Sequence, residues 1–278
     1  MTQTYDSAYI SQYYDEYSHE EWERLGPAAS PSNQVSFHIH RRYLEKYICS
    51  GDHVLEAGAG PGRFTIELSR LGATVVVGDI SAKQLELNQL YVERANCSAA
   101  VRQRVLLDIV DLSRFPTGHF DAVVCYGGAL SYVFDRADDA LSGLLRVTKP
   151  GGLVLLSVMS LLGSGRQTLA DVLAFTKQYG LADMDRARQS GDIPLGSQKH
   201  VCRMYRFSSL QALLARHPCT LLAASASNFL SVGNEAVLAA ADTPPELWHA
   251  LLKWEEDFCS EPGAIDGGTH ILAAVRRT

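Results

Sequence analysis

The 278-residue chain contains no run of about 18 consecutive apolar residues, the length an α-helix needs to cross a membrane, so no spanning segment is expected. Its N-terminal stretch is polar and tyrosine-rich and lacks the apolar core of a secretory signal, which predicts a cytoplasmic protein. Basic excess is also missing. Lys and Arg number 25 against 31 Asp and Glu, a formal charge of −6 and the wrong sign for a general nucleic-acid binder. Cys49, Cys97, Cys125, Cys202, Cys219 and Cys259 form no C-x-x-C pair and no zinc-ligand spacing, so free thiols and no metal site are expected. Repeats and low-complexity tracts are absent. What is present is a globular composition, 46% hydrophobic and 20% charged, long enough for one large domain or a domain with an insertion.

The most informative stretch is Val54-Leu55-Glu56-Ala57-Gly58-Ala59-Gly60-Pro61-Gly62-Arg63-Phe64. Val54 and Leu55 read as the end of a buried parallel strand, and the glycines let the backbone turn tightly and pass close to a ligand. A helix then opens near Arg63 and runs to Arg70. Spacing separates two nucleoside-cofactor readings. The nicotinamide and flavin fingerprint places glycines at the first, third and sixth positions, and the sixth position from Gly58 is Arg63. The third glycine instead falls at the fifth position, giving E-x-G-x-G-x-G.

That pattern resembles motif I of the class I S-adenosylmethionine-dependent methyltransferases. Further pieces follow in the family's order, over about residues 40 to 158. Ala73 to Ser81 reads as a second apolar strand ending in Asp79, Leu107 to Leu112 resembles the third acidic segment, and Phe120 to Gly128 looks like motif IV. Leu145 to Leu155 is similar to the family's helix end, Pro-Gly-Gly turn and fifth strand. The resemblance implies that S-adenosylmethionine, and its product S-adenosylhomocysteine, contact Glu56, Ala57, Gly58, Gly60, Gly62, Arg63, Asp79, Ile80, Asp108, Ile109, Tyr126 and Gly127. Glu56 would take the amino group of the methionine end. Asp79 would accept from both ribose hydroxyls, which a 2′-phosphate would oppose. Ile80 would pack on the adenine, and Asp108, preferred to Asp111, would take its amino group, with a neighbouring amide reading a ring nitrogen.

The implied fold is a three-layer α/β sandwich around a seven-stranded, mostly parallel sheet whose last strand is antiparallel. Cys219 to Ser225 and Thr269 to Arg277 supply the last two strands, with a helix at about 208 to 216 before them. Four regions are expected: an N-terminal helical cap over 1–37, the cofactor core over 38–159, a substrate-lid insert over 160–206 and the completion of the sheet over 207–278. In the cap, Tyr5, Tyr9, Tyr13 and Tyr17 are spaced for one helical face, with Tyr14 off it. That stripe packs the cap on the core or lids the site. The insert holds seven Lys or Arg against four Asp, reading either as a face for an acidic substrate or as a solvated surface. Gly163-Ser164-Gly165 and Asp192 to Gly196 would hinge it. The run Glu255-Glu256-Asp257 reads as solvated or partner-facing.

Methyl transfer requires alignment in a dry site and, for a hydroxyl acceptor, a base. His38, His40, His200 and His270 are the candidate bases. His200 leads because it sits in the insert, followed by His38, with Tyr14 and Tyr132 as orienting hydroxyls. The loop Cys125-Tyr126-Gly127-Gly128 lacks the D/N/S-P-P-Y/F/W sequence of amino-methylating nucleic-acid enzymes, and no proline precedes Cys125 as in cytosine-C5 enzymes. The reading is therefore a methyltransferase acting on O or N of a small molecule, with no nucleic-acid or membrane partner and room for a homodimer. The alternatives are an aminopropyl- or other non-methyl transferase of the same fold and a cofactor-binding regulatory protein without turnover.

Overall fold

The computed structural model describes residues 3–26, 28–193, 201–240 and 244–278. Seven strands form one sheet: β1 (His53–Ala57), β2 (Thr74–Asp79), β3 (Val101–Leu106), β4 (Phe120–Cys125), β5 (Thr148–Met159), β6 (Cys219–Ala226) and β7 (His270–Arg277). Their order is β3-β2-β1-β4-β5-β7-β6, with β7 antiparallel to both neighbours and the ladders among β1 to β5 all parallel. This is the expected architecture. Val54, Leu55, Val75, Val77, Val123 and Val124 are wholly buried, as strands covered on both faces require. Chain direction reverses its walk across the sheet between β1 and β4, so a crevice opens beyond their carboxyl ends.

The helices α1 (Ser7–Tyr17), α2 (Glu20–Arg24) and α3 (Pro31–Tyr47) precede the sheet. Expectation and structure differ here. The boundary placed at 37/38 falls inside α3, which starts with Ser30 capping the Asn33 amide and Pro31 in the first turn. Val35, Ile39 and Leu44 seat this helix on the core. Tyr5 lies outside α1, because Asp6 caps that helix by accepting from the Tyr9 amide. The inward face is therefore Ile10 and Tyr14, and Tyr13 stacks on Tyr17 away from it.

Between strands run α4 (Arg63–Arg70), α5 (Ala82–Arg94) and α6 (Ala137–Val147). The Pro150-Gly151-Gly152 turn belongs to the span of β5, where the register against β4 shifts beside Phe120. After β5 come α7 (Leu161–Gln167), α8 (Leu169–Tyr179) and α9 (Leu181–Ser190), then α10 (Phe207–Leu214). Gly163-Ser164-Gly165 lies within α7 and is no hinge. Gly163 packs on the backbone of Gly268, where a Cβ would come within 1.7 Å of the carbonyl oxygen. The insert is instead pinned by Arg203, which donates to both oxygens of Asp192, at 2.7 and 3.1 Å, and to the Phe134 carbonyl at 2.8 Å. Of its other arginines, Arg186 and Arg188 pair with Asp183 and Asp185 on an exposed helical face, where solvation accounts for them, while Arg166 donates to the carbonyls of Phe229 and Gly267 and Arg206 to that of Arg188.

The helices α11 (Glu235–Ala240) and α12 (Pro245–Cys259) complete the chain before β7. Glu255 was expected at a solvated surface and is instead wholly buried. It sits on the inward turn of α12, and its carboxylate accepts from the amides of Phe229, Leu230 and Ser231. Its neighbour Glu256 takes His38 and Arg42. Among the described residues no helix is long and apolar enough to cross a membrane.

Candidate active site

At the carboxyl end of β1 the chain turns through Gly58 with φ +77°, and the amides of Gly58 and Ala59 both donate to the Gly78 carbonyl, at 2.8 and 3.0 Å. A side chain at Gly58 would strike Ala129, whose Cβ would lie 2.7 Å away, so the close approach of two loops requires glycine. The Gly60 amide donates to Asp79 Oδ2 at 2.8 Å and the Ser81 amide to Oδ1 at 2.9 Å. These bonds aim the Asp79 carboxylate at the crevice from the end of β2. Burial pushes this carboxyl up to about 6, against the pull of the two amides.

A crevice partly open to solvent adjoins this loop. Gly58, Gly60, Asp79, Ile80, Asp108, Ile109, Tyr126 and Gly127 line it, so eight of the twelve expected cofactor residues converge on one cleft. Asp108 faces the cleft and Asp111 is exposed, capping the Ser113 amide at 3.0 Å. The other four do not line it. Ala57 is buried in the core, and Gly62 packs against Asn88 of α5. Arg63 lies 3.4 Å from the Trp22 ring centroid, donates to the Trp22 carbonyl, and lines only a narrow adjoining recess. Glu56 lies beneath the loop, 2% exposed. Its Oε2 accepts from the Thr65 hydroxyl at 2.5 Å, and its Oε1 is buried without a hydrogen-bond partner. Burial pushes this carboxyl up to about 8, with Asp79 adding repulsion.

Ile10 and Tyr14 of α1, with Tyr5 just before the helix, roof the cleft. Of the tyrosines within α1, the off-stripe Tyr14 lines it. Tyr14 meets Tyr132 edge-on at 5.5 Å between centroids, and burial followed by that neighbour raises its hydroxyl well above the ordinary value. Burial and Asp108 likewise raise Tyr5. Both phenols are neutral donors at neutral pH.

The expected bases do not gather. His38 bonds Glu256 at 2.7 Å beside α12 and is absent from the cleft, which removes it as base. His200 lies outside the described residues. His40 is buried behind Tyr126, its ring 4.8 Å from that ring, with Nδ1 bonded to the Ser36 carbonyl at 2.7 Å. Burial drops its pKa to about 4, so it stays neutral. Glu21 of α2 does line the cleft, and sequence reasoning missed it. Only its spacing of three from Arg24, which pairs with it, marked it out. Among the described residues no group of three or more His, Cys, Asp or Glu could hold a metal ion.

Comparison with known proteins bears on this geometry. Residues 54–152, the span from β1 into β5, match the family model described as "Methyltransferase domain". Residues 54–152 are thus similar to a methyltransferase domain. The match begins two residues before Glu56 and takes in every residue of the cleft floor, whereas the roof from α1 and α2 lies outside it. A ubiquinone/menaquinone biosynthesis C-methyltransferase, UbiE, of Pseudoalteromonas translucida (strain TAC 125) is 32% identical over 133 residues, 44% of this chain and 50% of that protein. The chain thus spans about half the length of the curated relatives it matches. Among solved structures, the [4+2]-cyclase SpnF superposes with a TM-score of 0.63 at 15% identity, covering 99% of this chain and 98% of that one. A Burkholderia thailandensis 1,6-didemethyltoxoflavin-N1-methyltransferase, solved with its substrate and S-adenosylhomocysteine, superposes with a TM-score of 0.57. It is 16% identical and covers 98% of this chain and 88% of that one. At these identities the structures establish the shared fold.

The residues of the methyltransferase domain fit S-adenosylmethionine. Asp79 offers a fixed carboxylate to a diol, and the Glu56 Oε1 is a buried acceptor awaiting a donor.

Proposed function

We propose that the chain binds S-adenosylmethionine in this cleft and transfers its methyl group to an O or N atom of a small molecule. The observation that carries the reading is the convergence of Gly58, Gly60, Asp79, Ile80, Asp108 and Ile109 on one cavity at the β1/β4 switch point. Asp79 accepts the ribose hydroxyls, Ile80 and Ile109 flank the adenine, and Asp108 takes its amino group. Glu56 draws the ammonium of the methionine end toward its unpartnered oxygen. When bound, S-adenosylmethionine would supply a sulfonium-activated methyl carbon for in-line attack by the acceptor lone pair, with the neutral thioether of S-adenosylhomocysteine as leaving group.

This chain's own part is positioning and exclusion of water. Tyr14 and Tyr132 form an aromatic wall whose hydroxyls orient the acceptor, and Val201 and Cys202 of the pinned insert back that wall by packing in one cluster with Tyr132. A nitrogen acceptor arriving neutral needs no base, which suits a cleft that no described histidine lines. The alternatives, transfer of another group or cofactor binding without turnover, give no methylated product.

The test is incubation with methyl-labelled S-adenosylmethionine and a panel of phenols, carboxylic acids, amines and quinones, with the product read by mass spectrometry and NMR. A methyl resonance on O or N is expected. A product methylated only on carbon, as the name of the P. translucida relative describes for that protein, overturns the O/N assignment, and transfer of no methyl group to any acceptor class favours the two alternatives.

A further inference from the structure

Glu21 reaches the cleft across the glycine loop, its Cγ 3.7 Å from where a Cβ on Gly60 would stand. It also lines the recess between the loops at 58–61 and 126–127. Its carboxylate is fixed by the Arg24 guanidinium, which donates through Nε at 2.8 Å and through a second nitrogen to the other oxygen. Both side chains are largely covered, at 15% exposure for Glu21 and 25% for Arg24. A fork-to-fork pair of this kind holds the carboxylate in one orientation.

Arg24 does not neutralise the cavity. Glu21, Asp79 and Asp108 all line it, and Glu56 lies beneath its floor with an unpartnered oxygen. After burial itself, Glu21 and Asp15 raise the Asp79 carboxyl and Asp79 raises Glu56, so the carboxylates repel one another in a poorly hydrated space. A bound cation relieves that repulsion, and the field of a carboxylate on the wall acts across the whole cavity.

The proposed donor and its product differ there by one charge. S-adenosylmethionine carries a sulfonium, an ammonium and a carboxylate, whereas S-adenosylhomocysteine has a neutral sulfur. We infer that Glu21, held by Arg24, is a specificity residue that makes the cleft favour the cationic donor over the demethylated product, so that methyl loss itself loosens the cofactor. The inference rests on the cofactor reading above.

Calorimetric titration of the wild type and of Glu21→Gln with both nucleosides tests it. Removing one wall charge at an effective dielectric of about 20 is expected to weaken donor binding about tenfold and product binding by less than about threefold. Equal weakening of both ligands, or no change in either, overturns the assignment. A second reading needs no variant: raising the salt concentration over the wild type should weaken the donor more than the product, and equal slopes contradict the inference. If neither nucleoside binds the wild type, the cofactor reading itself has failed. If both bind but Glu21→Gln leaves their ratio unchanged, only the role of Glu21 falls.

Discussion

Glu56→Gln is expected to stabilise the ligand-free protein at pH 8 while removing most of its affinity for S-adenosylmethionine. Glu56 is buried with one oxygen bonded to Thr65 and the other unpartnered, and its folded pKa stands at about 8 against an ordinary 4.5. The sign follows from linkage. A carboxyl whose pKa is raised on folding binds its proton more tightly in the native state, so its contribution is fully favourable below about 4.5. That contribution is lost as pH rises from there through about 8. The glutamine carries no charge at any of these pH values. Thermal melts should therefore show the variant gaining on the wild type between pH 5 and pH 8, by roughly 1–3 kcal/mol at the upper end. Binding moves the other way, because the variant's neutral amide cannot form an ion pair with an ammonium, and a loss of about 1.5–3 kcal/mol is expected by calorimetry. A wild type equally stable at both pH values, with the variant tracking it, would show that Glu56 is ionised and satisfied without a ligand.

The second large effect lies outside the cleft. Glu255→Ala is expected to destabilise the protein by about 3–5 kcal/mol, the scale for removing one side of a buried charged network. The carboxylate accepts from Phe229 at 2.7 Å, Leu230 at 3.1 Å and Ser231 at 2.8 Å, so it ties α12 to the turn following β6. Alanine leaves three buried amides without an acceptor. At roughly 2–4 °C per kcal/mol for a chain somewhat smaller than this one, the melting temperature should fall by about 10 °C. A fall under about 2 °C would mean that water reaches those amides and that Glu255 is not structural.

These two glutamates also show where sequence reading succeeds and where it stops. Glu56 was visible because it stands at a strand end just before a glycine turn, a local pattern that carries its own geometry. The same locality exposed Asp79 and Asp108, each at the carboxyl end of a strand or just beyond it, and the apolar runs that build the parallel sheet. Glu255 was misread because its neighbours in sequence, Glu256 and Asp257, suggest a charged surface, while burial depends on the rotation of α12 against a turn some 25 residues earlier. Glu21 was missed for a related reason. It sits in a five-residue helix with no glycine or strand beside it, and only the folding of α1 and α2 over the loop brings it to the cleft. The tyrosine spacing was right in part: Tyr5 and Tyr9 pack against the core beside Ile10, but a cap at Asp6 starts the helix after Tyr5, and the off-stripe Tyr14 packs there too.

Titration of the wild-type protein with S-adenosylhomocysteine and with NAD, read by calorimetry, tests the cofactor assignment most directly. Heat is expected from S-adenosylhomocysteine and none from NAD, with Asp79→Ala weakening the former by about 1.5–3 kcal/mol. Binding of NAD with no response to S-adenosylhomocysteine or S-adenosylmethionine would contradict it.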